Sequence, residues 1–197
     1  MSNSKANIRK LTVTALFAAV AVVGSMFSFP VFGAKCAPVQ HLVNILCAVL
    51  VGPWWGLAAA FIASLIRNLL GLGSLLAFPG SMCGALLSGL LYRYLKKLPY
   101  AYVGEVFGTG IIGSLVSYPV MAFLMGRSGL NAFFYTPMFL AATCMGGTIA
   151  YFFLKALSHA GMLAKFQQSL GAKVYDRKSD KNQTTHQSST AADSLHH

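Results

Sequence analysis

Gln40, His41 and Asn44 are the first residues in this chain that suggest chemistry. On a helix, positions i, i+1 and i+4 share one face. Here that face carries two amides and an imidazole inside an otherwise apolar run. Further segments add Arg67 and Asn68, Ser81 close after Phe78, Glu105, Tyr118, and Asn131 with Tyr135. Hydrogen-bond donors and acceptors with a few aromatics suit capture of a small molecule in a largely apolar pocket. Each residue also has a plainer reading. His41 can cap a carbonyl, Lys35 and Arg67 can snorkel to headgroups, and Glu105 can meet Lys96 or Lys97 at an interface.

Catalytic chemistry has little to stand on. The sequence contains no G-x-x-x-x-G-K-[ST], no H-E-x-x-H and no G-x-S-x-G, so P-loop hydrolysis, zinc proteolysis and the nucleophile elbow lack their motifs. His41 paired with Ser64, Ser74 or Ser81 is the one hydrolase arrangement to weigh, and no acidic group on that side orients the histidine. No enzyme activity, catalytic residue, cofactor or metal is expected. Cys36, Cys47, Cys83 and Cys144 show no C-x-x-C spacing and read as small hydrophobes.

The elements that must position these residues follow from composition. The 197 residues are 56% hydrophobic and only 10% charged, against roughly 25% charged in soluble domains. The net charge of +11 suggests nucleic acid until it is resolved by position. Residues 1–175 hold twelve Lys and Arg and one acid, Glu105, whereas residues 176–197 hold three bases and three acids. The bases punctuate apolar runs and form no stripe. That is a membrane pattern, with no nucleic-acid partner expected.

Six runs are long enough, or nearly so, to cross a bilayer core of about 30 Å. They are Leu11 to about Phe32, Val39–Val51, Trp54–Leu70, Gly80–Leu95, Ala101–Met125 and Thr136–Leu157. Pro38, Pro53, Pro79, Pro99 and Pro137 lie at or near their starts, where a missing N–H costs least. Pro119 predicts a kink in the fifth run. No sustained two-residue alternation argues for strands. The expected fold is all-α, an integral membrane bundle of six transmembrane helices. Nine bases lie on the side of the termini and three, Lys35, Arg67 and Arg127, on the other. The bias places both termini in the cytoplasm of a multi-pass cell-membrane protein. The expected organisation is a cytoplasmic N-terminus over 1–10, a membrane domain over 11–157, an amphipathic interfacial segment over 158–175 and a disordered polar tail over 176–197.

Small residues recur at packing distance in Ala15-x₃-Ala19, Gly80-x₃-Gly84, Ala85-x₃-Gly89, Gly104-x₃-Gly108 and Ala142-x₃-Gly146. Such pairs let helix backbones approach closely.

The runs GAKCAPVQHLVNILCAVLVGPWWG (Gly33–Gly56), SLIRNLLGLGSLLAFPGSMCGALLSGLLYR (Ser64–Arg93) and GEVFGTGIIG (Gly104–Gly113) carry a resemblance. Over about residues 8–157 the chain resembles the substrate-binding S components of energy-coupling factor (ECF) transporters, within them the ThiW family. The resemblance implies six helices, no ATPase activity, and capture of a thiamine precursor from outside. It implies partnership with a transmembrane T component and two ABC ATPase subunits. Ala15 and Ala19 match the A-x-x-x-A motif through which many S components contact the T component. The implied site uses the outer loops and outer helix halves, where Gln40, His41, Asn44, Arg67, Asn68, Ser81, Tyr118, Asn131 and Tyr135 fall. The expected ligand is hydroxyethylthiazole, a small heterocycle whose ring stacks on Phe78, Phe133, Phe134 or Tyr135. The pyrimidine precursor and thiamine are the alternatives. A phosphorylated ligand would want clustered bases, and Lys35, Arg67 and Arg127 are expected to stay apart.

Overall fold

The computed structural model describes residues 2–31, 34–124, 126, 129 and 131–172. Helix α1 (Ser2–Gly24) passes through a 3₁₀ turn into a hairpin of β1 (Phe29–Val31) and β2 (Ala34–Cys36). Then follow α2 (Pro38–Leu50), α3 (Pro53–Leu69), α4 (Ala77–Leu95), α5 (Leu98–Phe107) and α6 (Ser114–Pro119), with π-helical turns over Gly108–Gly113 and Val120–Leu124. Helices α7 (Thr136–His159) and α8 (Met162–Ser169) complete the described chain.

The hairpin corrects the expected strand-free chain and the first span running to Phe32. Phe29 faces Cys36 and Val31 faces Ala34 in an antiparallel pair. Pro30 has no N–H to continue α1, so the chain leaves the helix before it, and an edge strand tolerates the missing donor. The first helix starts at Ser2, nine residues before the expected Leu11, and the boundaries of the other five runs shift by three residues or fewer. Proline sits in the first turn of α2, α3, α5 and α7. At the α2–α3 turn Gly52 takes φ +123°, a conformation closed to most residues.

Three stretches among the described residues are long and apolar enough to cross a membrane: Ser4–Phe27, Leu98–Leu124 and Thr136–His159. Helix α2 has thirteen residues, roughly 20 Å, too short for the hydrocarbon core. Its surroundings explain this. It packs against α1, α3, α4, α5, α7 and α8, and ten of its thirteen residues are buried. A helix walled by protein need not match the bilayer thickness. α3, with seventeen residues, is also short, and the Gly, Ser and Arg93 of α4 lower its hydropathy.

Two of the three apolar clusters in the interior mark its ends. One, at the hairpin end, gathers Cys36, Leu76, Met121, Tyr135, Met138 and Phe139. The other, at the end carrying the termini, gathers Ile45, Leu46, Val49, Leu50, Tyr92, Leu154 and Leu163.

The α4–α5 contact is made by glycine. A methyl group on Gly104 would lie 2.7 Å from the Leu87 carbonyl oxygen, and one on Gly108 would lie 2.8 Å from that of Cys83. Neither space admits a side chain, so the backbones touch. Pro119 shows as the wide π turn that follows it rather than as a sharp break in a regular helix.

Candidate substrate site

Glu105 is fully buried. The sequence suggests a position one turn into its helix, beside Lys96 and Lys97. Instead α5 starts at Leu98, three residues earlier than expected, which carries Glu105 roughly 10 Å along the axis. There it meets α2. His41 Nδ1 lies 2.9 Å from Glu105 Oε1, Asn44 Nδ2 donates to the same oxygen at 3.0 Å, and Thr109 Oγ1 donates at 3.3 Å. Asn44 Nδ2 also reaches the Ser81 carbonyl at 3.2 Å. An ionised carboxylate is tolerated in an interior only when donors and an opposite charge surround it. Here α2 and α5 supply three donors to one oxygen. Nδ1 of His41 is engaged by Glu105, which leaves Nε2 outside this contact.

A ring of polar contacts continues toward the hairpin. Ser64 Oγ and Ser81 Oγ are 2.9 Å apart, and Ser81 Oγ donates to the Ala77 carbonyl at 2.7 Å. Arg67 Nη1 donates to Gln40 Oε1 at 2.6 Å. Arg67 is only 2% exposed although it lies in the last turn of α3, so it does not snorkel.

A cleft opens above these groups. It is small: its cavity volume is about 30 Å³, and about 390 Å³ only when all empty space out to open solvent is counted. Gln40, His41, Arg67 and Ser81 line its polar side, with Lys35 and Ser74 near them, and Cys36, Leu76, Met138, Phe139 and Ala142 line the apolar side. Burial pushes the Cys36 thiol up, away from the reactive thiolate. Lys35 Nζ donates to the Gly71 carbonyl at 2.5 Å and so ties the hairpin to the α3–α4 loop. Lys35 and Arg67 therefore share one cleft, which corrects the expectation that these bases stay apart; Arg127 and Ser128 lie outside the described residues.

Three buried polar atoms around this network have no partner among the described residues: Gln40 Nε2, Arg67 Nε and Glu105 Oε2. Buried donors left open are costly, so the two on cleft-lining residues suit a ligand that offers acceptors.

Of the sequence candidates, Gln40, His41, Arg67 and Ser81 reach the cleft wall, and Asn44 and Glu105 form its floor network. The others are placed elsewhere. Asn68 Nδ2 bonds the carbonyls of Ser64 and Ser74 and so shapes the α3–α4 loop. Phe78 packs on Phe61 with ring centroids 5.8 Å apart. Tyr118 is 36% exposed on the bundle's outside. Asn131 accepts from the Phe133 N–H in an exposed turn. Tyr135 is buried edge-on against Phe134, off the cleft. The aromatic that does line the cleft is Phe139, one helical turn after Tyr135. Thr109 was equally hidden in the sequence, although its i+4 spacing from Glu105 is the usual signal of a helical side-chain pair. Ala15 and Ala19 are exposed on α1 while Thr14, Ala18 and Ala21 are buried, so the small-residue pair faces away from the bundle. All four cysteines are free, two of them buried, and Cys144 is exposed, against the buried role expected for it.

Residues 11–160 match the family described as thiamine-precursor transporter protein (ThiW). The chain belongs to the ThiW family. A solved structure of the S component of a bacterial ECF transporter superposes with a TM-score of 0.66 at 16% identity, over 78% of this chain and 97% of that one. The fold of this ThiW-family chain is thus that of an ECF S component. No curated protein matches it by sequence. Family and long apolar helices together make it a multi-pass membrane protein of a transporter family.

Proposed function

We propose that the chain is the substrate-binding subunit of an ECF-type importer and captures hydroxyethylthiazole in the hairpin-end cleft. In this reading α1, α2, α3, α4, the continuous α5–α6 rod and α7 are six membrane passes. Both termini are cytoplasmic and the cleft opens outward. Import is driven by two partner ATPases acting through a T component, which docks on Ala15 and Ala19. The subunit itself performs no catalysis.

One observation carries the ligand choice. Gln40 Nε2 and Arg67 Nε are buried donors without partners beside the cleft, and the thiazole nitrogen and the hydroxyl oxygen are acceptors of matching number. His41 Nε2 supplies a third polar contact and Phe139 a ring to stack on. Thiamine, a cation, is less suited, because the carboxylate of Glu105 already engages His41, Asn44 and Thr109. A second reading has its own support: Lys35 and Arg67 in one cleft fit a phosphate ester of the same thiazole.

Calorimetric titration of the purified protein with hydroxyethylthiazole, its phosphate ester, the pyrimidine precursor and thiamine tests these readings. Tight binding of the free alcohol, weakened by His41→Ala and by Asn44→Ala without unfolding, is the expected result. Preference for the phosphate ester selects the second reading. Absence of binding to all four compounds would overturn both.

A further inference from the structure

A second cavity of about 300 Å³ lies at the opposite end of the helices, where the described chain begins and ends. Its lining includes Lys10 of α1, Trp54 and Trp55 of α3, Tyr92 and Arg93 of α4, and Ala172. Its rear wall is fixed by α8: Gln167 Nε2 donates to the Val49 carbonyl at 2.9 Å and lies 3.2 Å from the Tyr92 hydroxyl.

Two cations line this cavity and no acid does. The single ion pair among the described residues, His41–Glu105, belongs to the other cleft, and Glu105 is the only acid before Asp176. Lys10 and Arg93 therefore have no carboxylate partner among the described residues. No side chain caps the first turn of α3, which opens here at Pro53, so the positive end of that helix adds to the field. Trp54 beside the cavity is 65% exposed and Tyr94 beyond it 75%, the amphipathic aromatics of a membrane–water interface. A fitting occupant has an anionic head for Lys10 and Arg93 and an apolar body to lie along the exposed Trp54.

We infer that this cavity binds the phosphate headgroup of an anionic phospholipid. Basic pockets between helices at the membrane surface recognise such headgroups by charge. The inference is independent of what the hairpin-end cleft binds.

The chain's two tryptophans both line this cavity, so intrinsic fluorescence reports on it locally. The full chain in neutral detergent is titrated with phosphatidylglycerol, phosphatidylcholine and inorganic phosphate. A saturable emission change with phosphatidylglycerol is expected, with phosphatidylcholine inert and inorganic phosphate acting only at far higher concentration. Lys10→Ala combined with Arg93→Ala weakens phosphatidylglycerol binding by roughly tenfold. Arg93→Gln alone, at an exposed position, weakens it less, and Lys165→Ala outside the cavity leaves it unchanged. Four results would each overturn the inference. One is an equal response to both lipids. The second is an unchanged titration in the Lys10 and Arg93 variants. The third is an equal response to inorganic phosphate at matched concentration. The fourth is lipid binding that emerges only after deletion of residues 173–197, which would make Asp176 and Asp180 the natural occupants.

Discussion

The two cavities at opposite ends of this bundle use the same kinds of residue in opposite ways. At the hairpin end Arg67 is buried, bonded to Gln40 and set above a fully buried carboxylate. At the terminal end Arg93 is exposed and Lys10 half-buried, with no acid in the lining. The first cleft recognises by geometry, because most of its polar atoms are held by neighbours and only Gln40 Nε2, Arg67 Nε and Glu105 Oε2 are open. The second attracts by charge, because its cations keep contact with water. A buried network rewards one ligand shape and penalises the removal of any member; an exposed basic pocket is tolerant and screened by salt.

This contrast can be broken or sharpened by experiment. The largest effect is expected from Glu105→Ala. It strands the donors of His41, Asn44 and Thr109 in the interior and should cost about 3–5 kcal/mol of stability, with loss of ligand binding at the hairpin end. Thermal melting and calorimetry read both, and unchanged values would remove Glu105 as the organiser. Next comes Gly84→Ala. A methyl group there collides with Thr109 Oγ1 and lies 2.8 Å from the Glu105 carboxylate. A loss of about 1–3 kcal/mol is expected, and Thr109→Ala in the same chain should recover part of it. Two additive losses in the double variant would separate Gly84 from Thr109.

Arg67→Lys keeps the charge and deletes Nε. Hairpin-end affinity should fall about tenfold, roughly 1.4 kcal/mol, and the melting temperature should fall with the loss of the Nη1 bond to Gln40; equal affinity would show that Nε plays no part. Raising salt to about 0.5 M should weaken lipid binding at the terminal end several-fold and leave hydroxyethylthiazole binding nearly unchanged. Strong salt dependence at the hairpin end would favour the phosphate ester there. Ala15→Trp, on an outward face of α1, should alter neither cavity and yet abolish association with a T component in a pull-down. Normal association would remove that face from the interface.

Much of the architecture was legible in the residues. Apolar runs and first-turn prolines marked the helices within a few positions, and the i, i+1, i+4 spacing put Gln40, His41 and Asn44 on one face. The misplacements share a physical origin. Glu105 was read against Lys96 and Lys97 because sequence neighbours are visible and the crossing partner is not. The glycine contact of α4 with α5 and the earlier start of α5 deliver it to His41. By sequence Tyr118, Phe78 and Tyr135 are polar or aromatic residues near the outer ends of their runs. Which way each side chain faces depends on the helix rotation that packing sets. Phe139 lines the cleft for the same reason.

By itself the sequence determined a helical membrane protein with one acid among its apolar runs, with a charge bias between its two faces, and with family motifs in its second to fifth runs. Those properties depend on composition and local periodicity, which the chain carries without folding. Tertiary structure alone decided that α2 is walled by protein and can be short. It also joined Glu105 to His41 and Asn44, and set Lys35 and Arg67 on one cleft and Lys10 and Arg93 on another. Each of those outcomes rests on pairs tens of residues apart, held where glycine lets two backbones touch and where a buried charge must find its donors.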